Sequence, residues 1–247
     1  MATEREVAVA VVVPVFGNAD SLVELHRRLV TTLASYGDDL RLVFVDDACP
    51  RGSSAVLAEL AAGDRRVVVC THATNQGQHR AVLTGLAAVA AQRYVVLDGD
   101  LQDPPEAVST LLAKLTDAAI VFAIRRGAYE DRRRLVESRL FRWLLAQLGG
   151  VPEGGSLFVA LTRQARDRLL AQVIEPPYVV VLLAGLDLPM STLVVERGAR
   201  PHGVSAYSSR SRIAIAGRAI AQALQLRLGL AQRRPFVTPT LRGPAAP

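Results

Sequence analysis

Lysine is all but missing from this sequence: Lys114 is the single one, and arginine supplies the rest of the 29 basic residues. A metal-dependent nucleotidyltransferase usually carries a glycine-rich, lysine-bearing loop after its first strand, and Pro14–Ala19 is not such a loop. Cysteine is equally scarce. Cys49 and Cys70 lie far apart with no C-x-x-C spacing, so neither a zinc site nor a disulfide framework is indicated, and a reduced cytosolic compartment fits. No run reaches the ~18 apolar residues that a spanning helix needs. The apolar stretch Val7–Phe16 is broken by Pro14 and preceded by Glu4 and Glu6, unlike a signal peptide. The expectation is a protein that is cytoplasmic, or peripheral at the inner face of a membrane.

The chain has 247 residues, half of them hydrophobic, enough to bury one large core with little left for a second domain. The chain is rich in alanine and valine and its basic residues are nearly all arginine, a composition that suits a GC-rich bacterial genome. The formal charge of +6 favours anionic partners without choosing among nucleotides, lipid phosphates and nucleic acid. From Arg233 to Pro247 the chain reads as a polar, proline-punctuated, loosely ordered tail.

The first half repeats one unit, a short β-branched run followed by a helix-length segment with apolar residues three and four apart. Val7–Val15, Leu40–Val45, Val67–Cys70 and Tyr94–Leu97 read as strands, with helices over Ser21–Tyr36, Ser53–Ala62 and Gln78–Ala91. Strands apolar on both faces and alternating with helices imply a parallel sheet covered on both sides, an α/β fold. Further strands are expected at Ala118–Ile124, Leu157–Leu161 and Thr192–Val195, and a helix from Arg132-Arg133-Arg134 to Leu148. A basic amphipathic segment over Ser211–Leu230 has three readings: packing on the core, pairing with a second subunit, or lying on an anionic bilayer.

Ligands in such sheets bind beyond the carboxyl ends of the strands. Carboxylates stand at two of those ends, Asp46-Asp47 and Asp98-Gly99-Asp100. Asp98 and Asp100, one residue apart, can present oxygens to one hard cation that bridges them to a diphosphate, although Asp-Gly-Asp is also an ordinary turn sequence. Arg125 follows a strand end, where a permanently charged planar guanidinium suits a phosphate.

The stretch Val96–Glu106 (VLDGDLQDPPE) closely resembles the D-x-D-L-Q-D-P-P-E signature of family 2 glycosyltransferases, in the dolichyl- and undecaprenyl-phosphate branch. Val11–Asn18, Phe44–Ser54 and Asn75–Gly85 resemble three more motifs of that family in the same order, covering nearly all of residues 7–110. The resemblance implies a single GT-A domain, a Rossmann-like, mostly parallel sheet flanked by helices, over residues 1–232. Residues 1–110 would form the nucleotide-sugar half and residues 111–232 the acceptor half. It places Pro14, Val15, Phe16 and Asn18 near the nucleobase, Asp46 or Asp47 on base or ribose, and Asp98, Gly99 and Asp100 at ribose, metal and diphosphate. Gly77 and Gln78 fall in the third motif and join the donor site, and Arg125 and Arg134 are placed at phosphates. The implied cofactor is Mg²⁺ or Mn²⁺. The implied activity is metal-dependent, inverting transfer of a hexose from a nucleotide sugar, with polyprenyl phosphate as first acceptor and a small-molecule or glycan hydroxyl as alternative. Nucleic acid is not an expected partner, while a homodimer and a peripheral membrane contact stay open.

The acceptor half departs from the pattern. The lysine of the family's G-x-S-K-Y-S segment is replaced by Ala206, with Arg210 or Arg212 as substitutes. The acidic acceptor-side motif is represented by Glu153–Phe158, in which Glu153 is the candidate acidic residue. A phosphate acceptor is already ionised at neutral pH, whereas a hydroxyl acceptor needs a base, for which Glu153, Asp187 and His202 are candidates. His79 and His26 each have a ligand reading and a packing reading.

Overall fold

The computed structural model describes residues 6–126, 143–196 and 209–242. In chain order the elements are β1 (Val7–Val15), α1 (Ala19–Thr32), a 3₁₀ segment (Ala34–Asp39), β2 (Leu40–Asp46), α2 (Ser53–Gly63), β3 (Val67–Thr71), α3 (Gln78–Ala88), β4 (Ala91–Val96), α4 (Ala107–Ala113) and β5 (Ile120–Arg126). After a helical stretch at 143–149, here α5, follow β6 (Gly155–Thr162), α6 (Arg163–Ala171), α7 (Val179–Ala184), β7 (Met190–Glu196) and α8 (Ser209–Arg227).

The strands form one seven-stranded sheet in the order β3-β2-β1-β4-β6-β5-β7. Only β6 runs against the others, antiparallel to both β4 and β5. The carboxyl ends of β1 to β5 and β7 therefore meet at one edge, together with the amino end of β6. The valine-rich pattern of β1 follows from this burial. Val9, Val11 and Val13 pack into the core under one face, Ala10 and Val12 into the core under the other, and all are fully buried.

Helix α3 lies unusually close to the sheet. A Cβ at Gly85 would stand 2.4 Å from Val12 Cγ1 and 3.0 Å from Val45 Cγ2, so only glycine fits there. Gly85→Ala should destabilise the fold by about 1 to 3 kcal/mol, as overpacking does in a dense core. An unchanged midpoint in urea denaturation would show that the helix can lift without cost.

Three boundaries differ from the sequence reading. Helix α1 stops at Thr32 and passes into the 3₁₀ segment, which holds Gly37 at φ 52°. Helix α3 ends at Ala88 and β4 already begins at Ala91. The buried Tyr94 hydroxyl causes this, accepting from the Ala91 N–H at 2.7 Å and donating to the Val89 carbonyl at 3.1 Å. The tail expected to be loose is pinned over 234–242. Arg234 pairs with Val173 in both directions, and the Phe236 N–H bonds the Leu170 carbonyl at 2.7 Å. Thr240 and Arg242 then flank an antiparallel bridge between Leu241 and His72. This segment thus adds a short backbone pairing at the end of β3, the margin strand of the sheet.

Candidate active site

At the carboxyl edge, the turns after β1 and β4 lock together. Ser21 Oγ donates to the Gly99 carbonyl at 2.5 Å and lies 2.8 Å from the Asn18 carbonyl, while Asn18 Oδ1 accepts the Phe16 N–H at 3.1 Å. A Cβ on Gly99 would stand 2.1 Å from Asn18 Nδ2, which explains the glycine between the two aspartates. Leu101 and Ala48, each just beyond a carboxylate turn, adopt φ of 61° and 55°. Such left-handed conformations cost energy in residues other than glycine, and the surrounding hydrogen bonds hold them.

Asp98 is the hub. Its Oδ1 accepts from Gln78 Nε2 at 2.5 Å and its Oδ2 from Arg125 Nη2 at 3.0 Å. Arg125 in turn grips the fully buried Asp103 with two bonds, Nε to Oδ1 at 2.8 Å and Nη2 to Oδ2 at 2.6 Å. Burial raises the Asp98 carboxyl above its ordinary range, the nearby Asp103 and Asp100 push the same way, and Arg125 opposes them. For Arg125, burial works against the charge, but Asp103 and Asp98 outweigh it and raise its pKa. Asp100, half-buried, accepts the Gln102 N–H at 3.1 Å.

The second carboxylate pair builds loops. Asp46, fully buried, accepts from the Cys49 N–H at 2.8 Å and from Ser54 Oγ at 2.6 Å. Asp47 accepts from the Gln76 and Gly77 N–H groups, each at 2.7 Å, and from His72 Nδ1 at 2.7 Å. Both carboxylates are thus engaged in the loops that they hold. Cys49 Sγ receives the Gly17 N–H and the Ser53 hydroxyl, both at 3.1 Å, and so serves as a turn organiser.

A family model for Glycosyl transferase family 2 matches residues 10–168, a span that contains every residue of this hub. The chain belongs to glycosyl transferase family 2. An undecaprenyl-phosphate 4-deoxy-4-formamido-L-arabinose transferase from Pseudomonas fluorescens is 28% identical over 211 residues, 84% of this chain and 62% of that protein. The chain thus spans under two thirds of the relative's length. Among solved structures, glucosyl-3-phosphoglycerate synthase from Mycobacterium tuberculosis with Mn²⁺, UDP and its product has a TM-score of 0.60 at 19% identity, covering 93% of this chain and 87% of that one. A mannosyltransferase from Pyrobaculum calidifontis with GDP-mannose and Mn²⁺ has 0.59 at 16% identity, covering 92% and 74%. These neighbours establish the GT-A fold.

Of the candidate residues in this family member, Asn18, Gly99, Asp98, Gln78 and Arg125 are connected directly or through Ser21, and Gly77 precedes Gln78 on the loop that Asp47 holds. Phe16 is exposed beside them, while Pro14 and Val15 are buried in the end of β1. Glu153 is exposed in the turn before β6, at the same sheet edge as Asp98. Asp187 is a correction. It precedes β7, whose amino end pairs with the amino end of β5, so it stands at the opposite edge and cannot serve this site as a base. Arg134, Arg132, Arg133, His202 and Ala206 lie outside the described residues, as do the side chains of Arg210 and Arg212. Sequence reasoning missed Asp103 and Ser21. The first sits inside the quoted D-L-Q-D motif and could have been found there; the second shows no sequence signal beyond a helix start.

His79 takes its packing reading. Its Nδ1 accepts the Val179 N–H at 3.3 Å, its ring lies 4.4 Å from that of Tyr178, and burial pushes its pKa down to about 4. A depressed histidine contributes stability that is complete above about pH 6.5 and is lost as pH falls toward 4, by at most ~3 kcal/mol. His79→Asn, which keeps an acceptor but does not titrate, should flatten denaturation midpoints between pH 6.5 and 4.5. An equally steep profile would assign the loss to other groups. His26 bonds Asp64 at 2.9 Å. Among the described residues, no helix is long and apolar enough to cross a membrane.

Proposed function

We propose that this chain transfers a hexose, with inversion, from a nucleoside diphosphate sugar to polyprenyl phosphate. The observation that carries the reading is the Asp98 hub, built from three of the four motifs and Arg125 at one sheet edge and held in register by Gln78, Arg125 and the Asn18–Ser21 turn. Its chemistry suits a cation: Asp98 and Asp103 share the Arg125 guanidinium, and Asp100 stands near enough to Asp98 to push its carboxyl upward, so hard oxygen donors gather where a divalent ion would meet a diphosphate. Among the described residues, no group of three or more His, Cys, Asp or Glu could hold a metal alone. Two carboxylates do fit Mg²⁺ or Mn²⁺ when substrate phosphates and water complete the shell. The bound ion would stabilise the negative charge that develops on the departing diphosphate.

The chain's own residues then do three things in this reading. Asp98 and Asp100 hold the ion, Gln78 and Arg125 orient Asp98, and Ser21 ties the turn that carries Asp98 and Asp100 to the turn after β1. The curated relative's name supports a lipid phosphate acceptor. Such an acceptor is already ionised, so it asks for no strong base, and the exposed Glu153 would serve to orient it rather than to deprotonate it. Arg134 is proposed at the acceptor phosphate. Residues 1–232 would form one domain, with donor and acceptor halves meeting near residue 110, working at the inner face of the membrane.

A second reading, transfer to a small soluble acceptor, is favoured by one observation: the structural neighbour that carries phosphoglycerate chemistry covers nearly the whole chain. The test is a panel of UDP- and GDP-sugars with Mn²⁺ or Mg²⁺, offered to undecaprenyl phosphate in anionic liposomes and to soluble hydroxyl acceptors. Transfer to the lipid, with liposome binding released by high salt, supports the first reading. Transfer only to soluble acceptors replaces it, and no transfer with or without metal overturns both.

A further inference from the structure

Asp47, with Asp46 one of two alternatives for the donor's base or ribose, is the centre of a buried network. Its Oδ1 takes both the Gln76 N–H and His72 Nδ1, and its Oδ2 takes the Gly77 N–H. His72 is fully buried, and its other nitrogen lies 2.9 Å from the hydroxyl of Thr84 on α3, itself almost fully buried. The next residue after Gly77 is Gln78, whose amide grips Asp98. A continuous path of short contacts thus runs from the end of β3 to the metal-binding candidate. A buried carboxylate that holds two consecutive backbone amides fixes the path of a loop, and a fully satisfied polar network of this kind is rigid.

The outer end of the path is equally tied. The Ala73 N–H donates to the Thr240 carbonyl at 3.0 Å, and the Arg242 N–H to the Thr71 carbonyl at 2.8 Å, so the C-terminal segment clasps the backbone on both sides of His72. The Arg242 guanidinium adds a bond to the Ala73 carbonyl at 3.4 Å.

We propose that His72 is a positioning residue for the donor site, holding through Asp47 the loop that carries Gln78 onto Asp98, and that the segment 240–242 fixes the backbone on which His72 sits. The inference rests on the donor reading above, but its geometry is independent of the sugar and the acceptor. It assigns a function to a histidine outside the four motifs and to a segment whose sequence reads as a loosely ordered tail.

The experiment uses the full chain and two readouts: the Kd for UDP and for GDP in the presence of Mn²⁺, and the amide exchange rates of Gln76 and Gly77. The variants are His72→Leu, His72→Asn, His72→Gln and Arg242→Pro. Asparagine can place an N–H near the position of Nδ1 and so keep the bond to Asp47, whereas glutamine reaches toward Thr84 and loses it. His72→Leu and His72→Gln should weaken nucleotide binding at least about tenfold and speed both amides similarly, the scale of one charge-assisted bond. His72→Asn should stay within about threefold of the parent chain on both readouts, and where turnover is followed, the leucine variant should raise donor KM more than it lowers kcat. Arg242→Pro removes the clasp's N–H and side chain and should shift both readouts in the same direction as leucine.

The proposal is overturned if His72→Leu lowers the melting temperature while leaving nucleotide affinity and the two amides unchanged, because that is the signature of a merely structural histidine. Equal rescue by asparagine and glutamine overturns it as well. If the parent chain binds neither nucleotide, the donor reading fails by itself. The exchange rates then still decide whether His72 holds the loop.

Discussion

Asp100→Asn should lower kcat/KM at least about a thousandfold, roughly 4 kcal/mol of transition-state stabilisation, while the melting temperature stays near that of the parent chain. Asparagine keeps an oxygen for the Gln102 N–H, so the turn after β4 survives, but it removes the charge that a divalent ion needs. Asp100→Ala should lose as much activity and a little more stability, because it gives up the turn bond too. The decisive comparison is metal dependence. The parent chain should lose its activity in excess EDTA and regain it with Mn²⁺, whereas neither variant should respond. Parent-level turnover by the asparagine variant, or indifference of the parent chain to EDTA, would remove the metal from the proposed reaction.

The second large effect concerns stability. Arg125→Ala strands Asp103, which is fully buried and receives two of its bonds from that guanidinium. Breaking a buried pair by removing one partner typically costs about 3 to 5 kcal/mol, a large fraction of a domain's total stability. The variant should therefore melt well below the parent chain, and Arg125→Lys should fall between them, since an ammonium cannot reproduce the fork. A double variant, Arg125→Leu with Asp103→Leu, should recover much of the stability and none of the activity. The sequence reading put Arg125 on a substrate phosphate. If Arg125→Ala leaves the melting temperature intact and raises only KM, that role stands and the clamp described here is secondary.

These two residues also mark how far the sequence could be read. The sheet was legible because β-branched runs apolar on both faces have few solutions other than a covered parallel sheet, and the strand ends followed from the runs. Asp98-Gly99-Asp100 was legible as a candidate site because residue type, spacing and three ordered companion motifs agreed. The second half was read less well. Helices α6 and α7 are short, and β7 is half exposed at the sheet margin, so their periodicity is weak.

Partner choice was beyond the reach of the sequence. Nothing in the spacing of Asp46, Asp47 and Asp98 says which will meet a ligand and which will tie down a loop. That depends on what the sheet brings beside them: β3 sets His72 against Asp47, and the end of β5 carries Arg125 to Asp103 and Asp98. Asp187 lost its candidacy because strand direction, which one chain segment does not reveal, puts it at the opposite sheet edge. The tail gained a place because backbone hydrogen bonds ignore side-chain composition: residues 240–242 look like solvent-exposed linker, yet the Thr71 carbonyl at the end of β3 and the Ala73 N–H just beyond it offer them partners. Local pattern specified the elements and the metal-binding candidates, while long-range pairing, to which composition and periodicity are blind, chose the neighbours that orient them.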